Sequence, residues 1–326
     1  MAPIADRCRH LLQRLPPSAT VRLRCVDDAR DALLLASEIP MIRSDLLEIL
    51  CCPVCRVAQR DATLRLSGGR RPTLDCVSCD EVYRIVDGIP DMVPRRGPQR
   101  VKAYRTETLN NLIAGTYDFS LPFMSLTAWR CSPLRFVDWT HMALGRAQGG
   151  WHLSVPVATG GLLAHTWGPH LDLRVVGVDL SWNMLQRARL KLERAQLPAY
   201  LVRADVERLP FRDGLFRSVL SINGLHAFDE RTRGLDEMLR VIEPAGVLAG
   251  STLVRGKERM ADWVLDLYER NGVVPMLRST AYVLAEFSQA GKRKVLHESY
   301  GAVLFFLVEG EALPATSTSQ QQEWVL

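Results

Sequence analysis

A chain of 326 residues, 47% apolar and 24% charged, can bury one large core and a smaller one, which excludes a disordered or fibrous protein. Its net charge of +5 comes from Lys and Arg spread along the whole length, which excludes a polybasic tract dedicated to nucleic acid. No apolar run approaches a bilayer span and the amino terminus lacks a signal-peptide pattern, so a cytoplasmic protein with no membrane partner is expected.

Residues 1–43 form an amino-terminal extension of two short helices around the strand Val21–Cys25, with Cys8 and Cys25 as buried structural thiols. Arg7, Arg9 and Arg14 resemble an organelle transit segment, but Asp6, Asp27 and Asp28 interrupt it. Residues 44–95 carry the next readable unit. Cys52-Pro53-Val54-Cys55 and Cys76-Val77-Ser78-Cys79 are two knuckles separated by twenty residues, the pattern of a four-thiolate zinc ribbon. Four thiolates close a tetrahedral shell, so the metal role of Cys52, Cys55, Cys76 and Cys79 is structural. Gly68-Gly69 turns a hairpin, and Cys51 faces away as a packed apolar residue. A reactive Cys-x-x-Cys opens a helix, whereas two knuckles in a hairpin argue against redox chemistry. With Tyr83-Arg84-Ile85-Val86-Asp87-Gly88-Ile89-Pro90, the block resembles the small zinc-ribbon family whose stand-alone members bind and stabilise methyltransferases. That resemblance implies a protein contact through the ribbon.

Residues 96–150 read as a linker and helical cap. MVPRRGPQR is an exposed connector, Val101–Ala114 is helical, and Tyr104 and Tyr117 belong to an aromatic-rich stretch that either packs as core or caps a ligand pocket. The stretch from Trp151 to Asp179 organises the rest of the chain. Leu153, Val155 and Val157 run apolar into Ala158-Thr159-Gly160-Gly161, and Val175, Val176 and Val178 deliver Asp179 to a strand's carboxyl end. An acid about twenty residues past a small-residue loop suits the hydroxyls of a ribose. A third strand then ends in Asp205, followed by Leu209-Pro210-Phe211, and Ser218–Ile222 leads into Asn223-Gly224-Leu225-His226.

These motifs, in this order over roughly Gly115–Val308, resemble the class I methyltransferases that use S-adenosylmethionine, in the branch that includes quinone and small-molecule enzymes. The resemblance implies an α/β, doubly wound, mostly parallel seven-stranded sheet over residues 151–310, preceded by the zinc-ribbon module and followed by a mobile tail, 311–326. It implies that Val157, Ala158, Thr159 and Gly160 face the cofactor, that Asp179 and Leu180 hold the ribose, that Asp205 and Val206 meet the adenine, and that Asn223 lies beside the reactive methyl. Trp182 and Met184 either flank the adenine or pack on the sheet. One departure stands out. The family's first loop has an acid at the position of Ser154 and glycines at those of Pro156 and Ala158.

His226 is the group of near-neutral pKa placed beside the methyl, hence the candidate base, the alternative being a histidine that caps the helix or positions substrate, with Gly224 letting the backbone pass close. Arg255, Lys257 and Arg259 form a basic loop suited to an anionic group or to solvent. Arg233–Arg240 is a helix, Pro244-Ala245-Gly246 its turn, Val247–Leu253 the fifth strand and Gly301–Val308 the last. The function expected is methyl transfer to a small organic acceptor. Two alternatives are RNA methylation, which calls for a basic cleft between ribbon and core, and a catalytically dead scaffold, which Ser154 and Ala158 suggest.

Overall fold

The computed structural model describes residues 42–69, 71–97, 100–103, 115–168, 172–270, 278–289 and 295–309. The expectations for residues 1–41, for Tyr104 and the helix from there to Ala114, and for the tail after Glu309 lie outside the described residues.

The front module begins with α1 (Ser44–Ile49), which buries Leu46 and Ile49. Cys52 then caps α2 (Pro53–Val57), its sulfur accepting the Cys55 N–H at 3.5 Å, with Pro53 in the first turn, where a missing N–H costs nothing. Strands β1 (Leu64–Ser67), β2 (Thr73–Cys76), β3 (Val82–Val86) and β4 (Ile89–Pro90) pair antiparallel in chain order. One expectation is corrected here. The first knuckle lies at the start of a helix rather than in a hairpin, because Pro53 and the capping sulfur of Cys52 favour a helical turn over continued strand.

Helices α3 (Tyr117–Thr127) and α4 (Pro133–Arg146) lead into β5 (Trp151–Ser154). After it come α5 (Gly161–Thr166), β6 (Arg174–Asp179), α6 (Trp182–Arg194), β7 (Tyr200–Arg203) and β8 (Phe216–Ser221). The chain continues through α7 (Arg231–Val241), β9 (Ile242–Leu253), α8 (Arg259–Arg270), α9 (Thr280–Gln289), β10 (Val295–Tyr300) and β11 (Val303–Glu309). Ser181 caps α6 by accepting the Met184 N–H at 3.3 Å, and Met184, Leu185, Ala188 and Leu192 make its buried stripe. Met184 therefore packs on the sheet, and Trp182 lies under the Arg203 guanidinium, 5.2 Å from the ring centre.

The sheet order is β10-β11-β9-β8-β5-β6-β7, with β9, β8, β5, β6 and β7 parallel and the last hairpin antiparallel. Helices cover both faces, which is why the valines of β6 are all buried. Val175 packs with Leu163, Leu185 and Ala188, while Val176 and Val178 face the opposite core.

Two strand boundaries differ from the sequence reading. The fifth strand begins at Ile242, which pairs with Phe216 before a register shift to Val247 and Ser218, so Pro244-Ala245-Gly246 bulge within a strand instead of preceding it. Gly301 lies in the turn between β10 and β11. The partner strand β10 went unread because its residues are nearly all exposed and show no alternation.

The front module and the large domain belong to one compact unit. Met92 N–H donates to Arg203 O at 2.8 Å and Asp91 bridges Arg203 in parallel, so the segment after β4 continues the large sheet beyond β7 and covers its edge. On the other flank Cys51 N–H donates to Pro210 O at 2.9 Å, and Leu50 pairs with Phe211. Leu50, Leu74 and Tyr83 share a single apolar cluster with Phe211 and Phe216. Each fully buried side chain of this size contributes about 1.5–3 kcal/mol, so the junction is a core and not a loose tether.

Candidate functional site

Cys52, Cys55, Cys76 and Cys79 place their sulfurs within 4.8 Å of one another. The Cys52–Cys79 and Cys55–Cys76 separations are 3.8 and 3.6 Å, close to the edge of about 3.8 Å that a tetrahedron of zinc–sulfur bonds requires. The donor set therefore fits a closed zinc site. Tyr83 Oη lies 3.1 Å from Cys52 Sγ in the buried interior, a hydrogen bond of the kind that orients a ligand from behind. Cys51 stays out of the cluster, and burial pushes its thiol up to about 11.

The chain runs from β5 outward to β7 and then returns to β8 on the other side of β5, so the carboxyl ends of β5 and β8 flank a topological switch point. A cavity of about 740 Å³ opens there, between α3, α4, α5 and the first loop. Its lining includes Ser154 and Thr140, Leu220 and Ile222 of the sheet side, and Tyr117 and Leu121 of α3. Val157, Ala158 and Thr159 line it, whereas Gly160, Asp179, Leu180, Asp205, Val206, Asn223 and His226 do not.

The loop reaches this shape through its departures from the family pattern. Ala158 takes a left-handed φ of 50° and donates its N–H to Asp179 Oδ2 at 2.9 Å. Gly160, φ 68°, approaches α6 so closely that a Cβ would lie 3.0 Å from Ala188 Cα. Pro156 packs against Gly224, where an added Cβ would meet its Cδ at 2.6 Å, and Val157 turns under Gly177. Both residues still line the cavity. The expectation for Gly224 is corrected accordingly: its missing side chain makes room for Pro156, Ser221 and Phe228, not for a ligand.

Asp179 closes β6, its Oδ1 also accepting the Ser181 N–H at 2.9 Å. Burial of Tyr117, then the Asp179 and Asp118 charges, push its phenol up to about 12. Asp205 Oδ1 accepts from Glu207 N–H at 3.1 Å and Lys102 Nζ at 3.2 Å, while its buried Oδ2 has no hydrogen-bond partner among the described residues. Burial raises the Asp205 pKa, an effect Lys102 opposes. A buried carboxylate oxygen without a donor fits the amino group of an adenine.

Asn223, with φ 51°, is tied to Ser251, whose Oγ accepts its N–H at 3.1 Å and donates to its Oδ1 at 3.2 Å. His226 corrects the sequence reading. Its Nδ1 accepts the Leu253 N–H at 3.3 Å, and burial, with Arg231 nearby, lowers its pKa to about 4. A neutral ring used this way carries its proton on Nε2, so it has no lone pair left for a base. Arg255 of the basic loop is likewise engaged, with Asp266 at 2.6 Å and Glu269 at 2.9 Å. The sequence reading missed Asp118 and Lys191, which line the cavity and meet at Thr159.

A doubly wound sheet with an acid ending its second parallel strand and a cavity at the switch point defines the class I architecture of nucleoside-cofactor enzymes. Residues 155–250 match the sequence family described as a methyltransferase domain. The ubiquinone/menaquinone biosynthesis C-methyltransferase UbiE of Geobacter sulfurreducens is 28% identical over 206 residues, 61% of this chain and 74% of the relative. A chloroplastic, uncharacterized methyltransferase of Arabidopsis thaliana is 25% identical over 270 residues, 75% of this chain and 74% of the relative. A solved S-adenosylmethionine-dependent methyltransferase from Thermotoga maritima superposes with a TM-score of 0.45 at 15% identity, over 62% of this chain and 98% of that one. The chain carries a methyltransferase domain, and its relatives support an S-adenosylmethionine-dependent methyltransferase. Among the described residues no helix is long and apolar enough to cross a membrane.

Proposed function

We propose that this enzyme methylates a small organic acceptor held in the cavity between α3, α4 and the first loop. The observation that carries the reading is the cavity itself, whose lining is mostly apolar and whose volume of about 740 Å³ suits a metabolite-sized ligand. The relatedness to a quinone C-methyltransferase supports the same acceptor class. S-adenosylmethionine would supply an activated methyl, its sulfonium sulfur keeping the electron pair of the broken C–S bond and departing as a neutral thioether that needs no proton. Alignment can then provide most of the acceleration, which agrees with the absence of a base at His226. Asp179 would hold the ribose, Asp205 Oδ2 the adenine amino group, and Val157–Gly160 and Leu180 the nucleoside's edges, with Val206 beside the ring. Asn223, locked by Ser251, would border the methyl. RNA is the weaker alternative because two buried arginines of the ribbon–core junction are spent on acids, Arg56 on Glu237 at 2.6 Å and Arg203 on Asp91 at 3.3 Å.

The four cysteines would hold a structural zinc ion. The ribbon would then be a docking module whose partner is the chain's own catalytic domain, supported by the continuous core and the Met92–Arg203 bond. Calorimetry of the full chain with S-adenosylmethionine tests the cofactor site, and saturable heat at micromolar concentration is expected. No heat at millimolar ligand would leave a dead scaffold standing. Incubation with methyl-labelled cofactor and a metabolite extract then identifies the acceptor class, and label found in RNA alone would overturn the small-molecule reading.

A further inference from the structure

The cavity lining is neutral except at one place. Among the described residues, Asp118 is its only acid and Lys191 its only Lys or Arg. The two come from different elements, the first turn of α3 and the last turn of α6, and they meet over the first loop. Thr159 Oγ1 donates to Asp118 Oδ1 at 2.5 Å, and Lys191 Nζ donates to Thr159 Oγ1 at 2.9 Å and to Asp118 Oδ2. A Cβ on Gly161 would lie 3.2 Å from Asp118 Oδ1 and 3.3 Å from Lys191 Nζ, so both charges crowd the start of α5.

The side chains are 48% and 29% exposed. An ion pair this open holds together weakly, so exchanging its partners for others of the same charge costs little. A molecule bearing an ammonium and a carboxylate on one carbon offers that exchange, each of its charges meeting the opposite one of the pair. Ser154 adds a second observation. It lines the cavity at the position where the resemblance expects an acid, and it carries no charge, which leaves Asp118 as the lining's sole carboxylate. Tyr117, one residue earlier, lines the same cavity and feels the Asp179 charge, so the first turn of α3 places Asp118 within electrostatic range of the ribose acid's side of the site.

We propose that Asp118 and Lys191 form a zwitterion subsite for the amino-acid end of S-adenosylmethionine, Asp118 receiving the α-ammonium and Lys191 the α-carboxylate in place of the missing first-loop acid. This inference rests on the proposed function, with S-adenosylmethionine held at Asp179 and Asp205 and its amino-acid end reaching past the first loop into the acceptor cavity. Binding opens the Asp118–Lys191 pair and re-forms both contacts on the ligand, and Thr159 keeps its neighbours in place.

Three ligands separate the charges: S-adenosylmethionine, its decarboxylated form, which keeps the ammonium, and 5′-methylthioadenosine, which has neither group. Affinities are measured by calorimetry on the full-length chain, wild type, Asp118→Asn and Lys191→Gln, with melting curves verifying the fold. Asp118→Asn should weaken the first two about 10-fold or more and leave methylthioadenosine within about twofold, the scale of one charged hydrogen bond. Lys191→Gln should weaken only S-adenosylmethionine. Equal loss for all three ligands, or unchanged S-adenosylmethionine affinity in Asp118→Asn, would overturn the subsite. Failure of the wild type to bind any of the three overturns the cofactor reading and the subsite with it, and is distinguished because the defect precedes any substitution.

Discussion

Replacing Glu237 by glutamine removes one negative charge from the seam between ribbon and catalytic domain. Glu237 Oε2 accepts from Arg56 Nη2 at 2.6 Å, Arg240 Nη2 at 3.0 Å and Leu209 N–H at 2.9 Å, and Oε1 accepts from Arg240 Nε at 2.9 Å. The carboxylate is 11% exposed and the two guanidiniums 17% each. Burial, and next the charge of Arg240, already pulls Arg56 below its ordinary pKa, so the two cations repel wherever Glu237 does not intervene. Glutamine keeps one oxygen but turns an NH2 toward donors. Hydrogen bonds to charged groups are worth about 1.5–3 kcal/mol, yet they share one acceptor and do not add. The working figure is that for breaking a buried ion pair from one side, about 3–5 kcal/mol. Arg56→Met, which leaves Glu237 with Arg240 and Leu209, should cost about 1.5 kcal/mol. Urea unfolding followed by far-ultraviolet circular dichroism measures both. A loss below about 1 kcal/mol for Glu237→Gln, or equal losses in the two variants, would refute the claim that this carboxylate compensates two cations at once.

Cys76→Ser should abolish zinc binding and lower the melting temperature of the whole unit, since the ribbon shares its core; a wild-type protein without zinc by elemental analysis refutes the ribbon. His152 is wholly buried, neither ring nitrogen has a partner among the described residues, and burial lowers its pKa to about 3. As pH falls below the ordinary value near 6.5 the unfolded chain takes a proton that the folded one refuses until about pH 3. Its contribution is therefore intact above pH 6.5 and is lost on acidification, by up to about 1.4 kcal/mol per pH unit. His152→Leu should flatten that slope and add about 1 kcal/mol at pH 7, and an unchanged pH profile would count against it. His226→Phe should cost about 1–3 kcal/mol by stranding the Leu253 N–H while leaving S-adenosylmethionine affinity unchanged. Lost turnover at full stability would restore the base.

Local chemistry made part of this enzyme readable from its residues alone. Two knuckles of cysteines announce a four-thiolate cluster because the pairs are short-range and only their meeting is tertiary. Valines that end in Asp179 announce a buried parallel strand because no other environment accepts such a run. The tertiary structure decided what depended on distant partners. Whether Pro156 blocks the crevice turned on Gly224, sixty-eight positions later, which makes room for it. The role of His226 turned on the backbone of β9, which claims its free nitrogen. Thr159 was legible as part of the first loop, but Asp118 and Lys191 carry no signal in a linear reading, because each is an ordinary charged residue of its own helix. They become a charged site only where α3, the first loop and α6 converge on a cavity whose remaining lining holds no Asp, Glu, Lys or Arg.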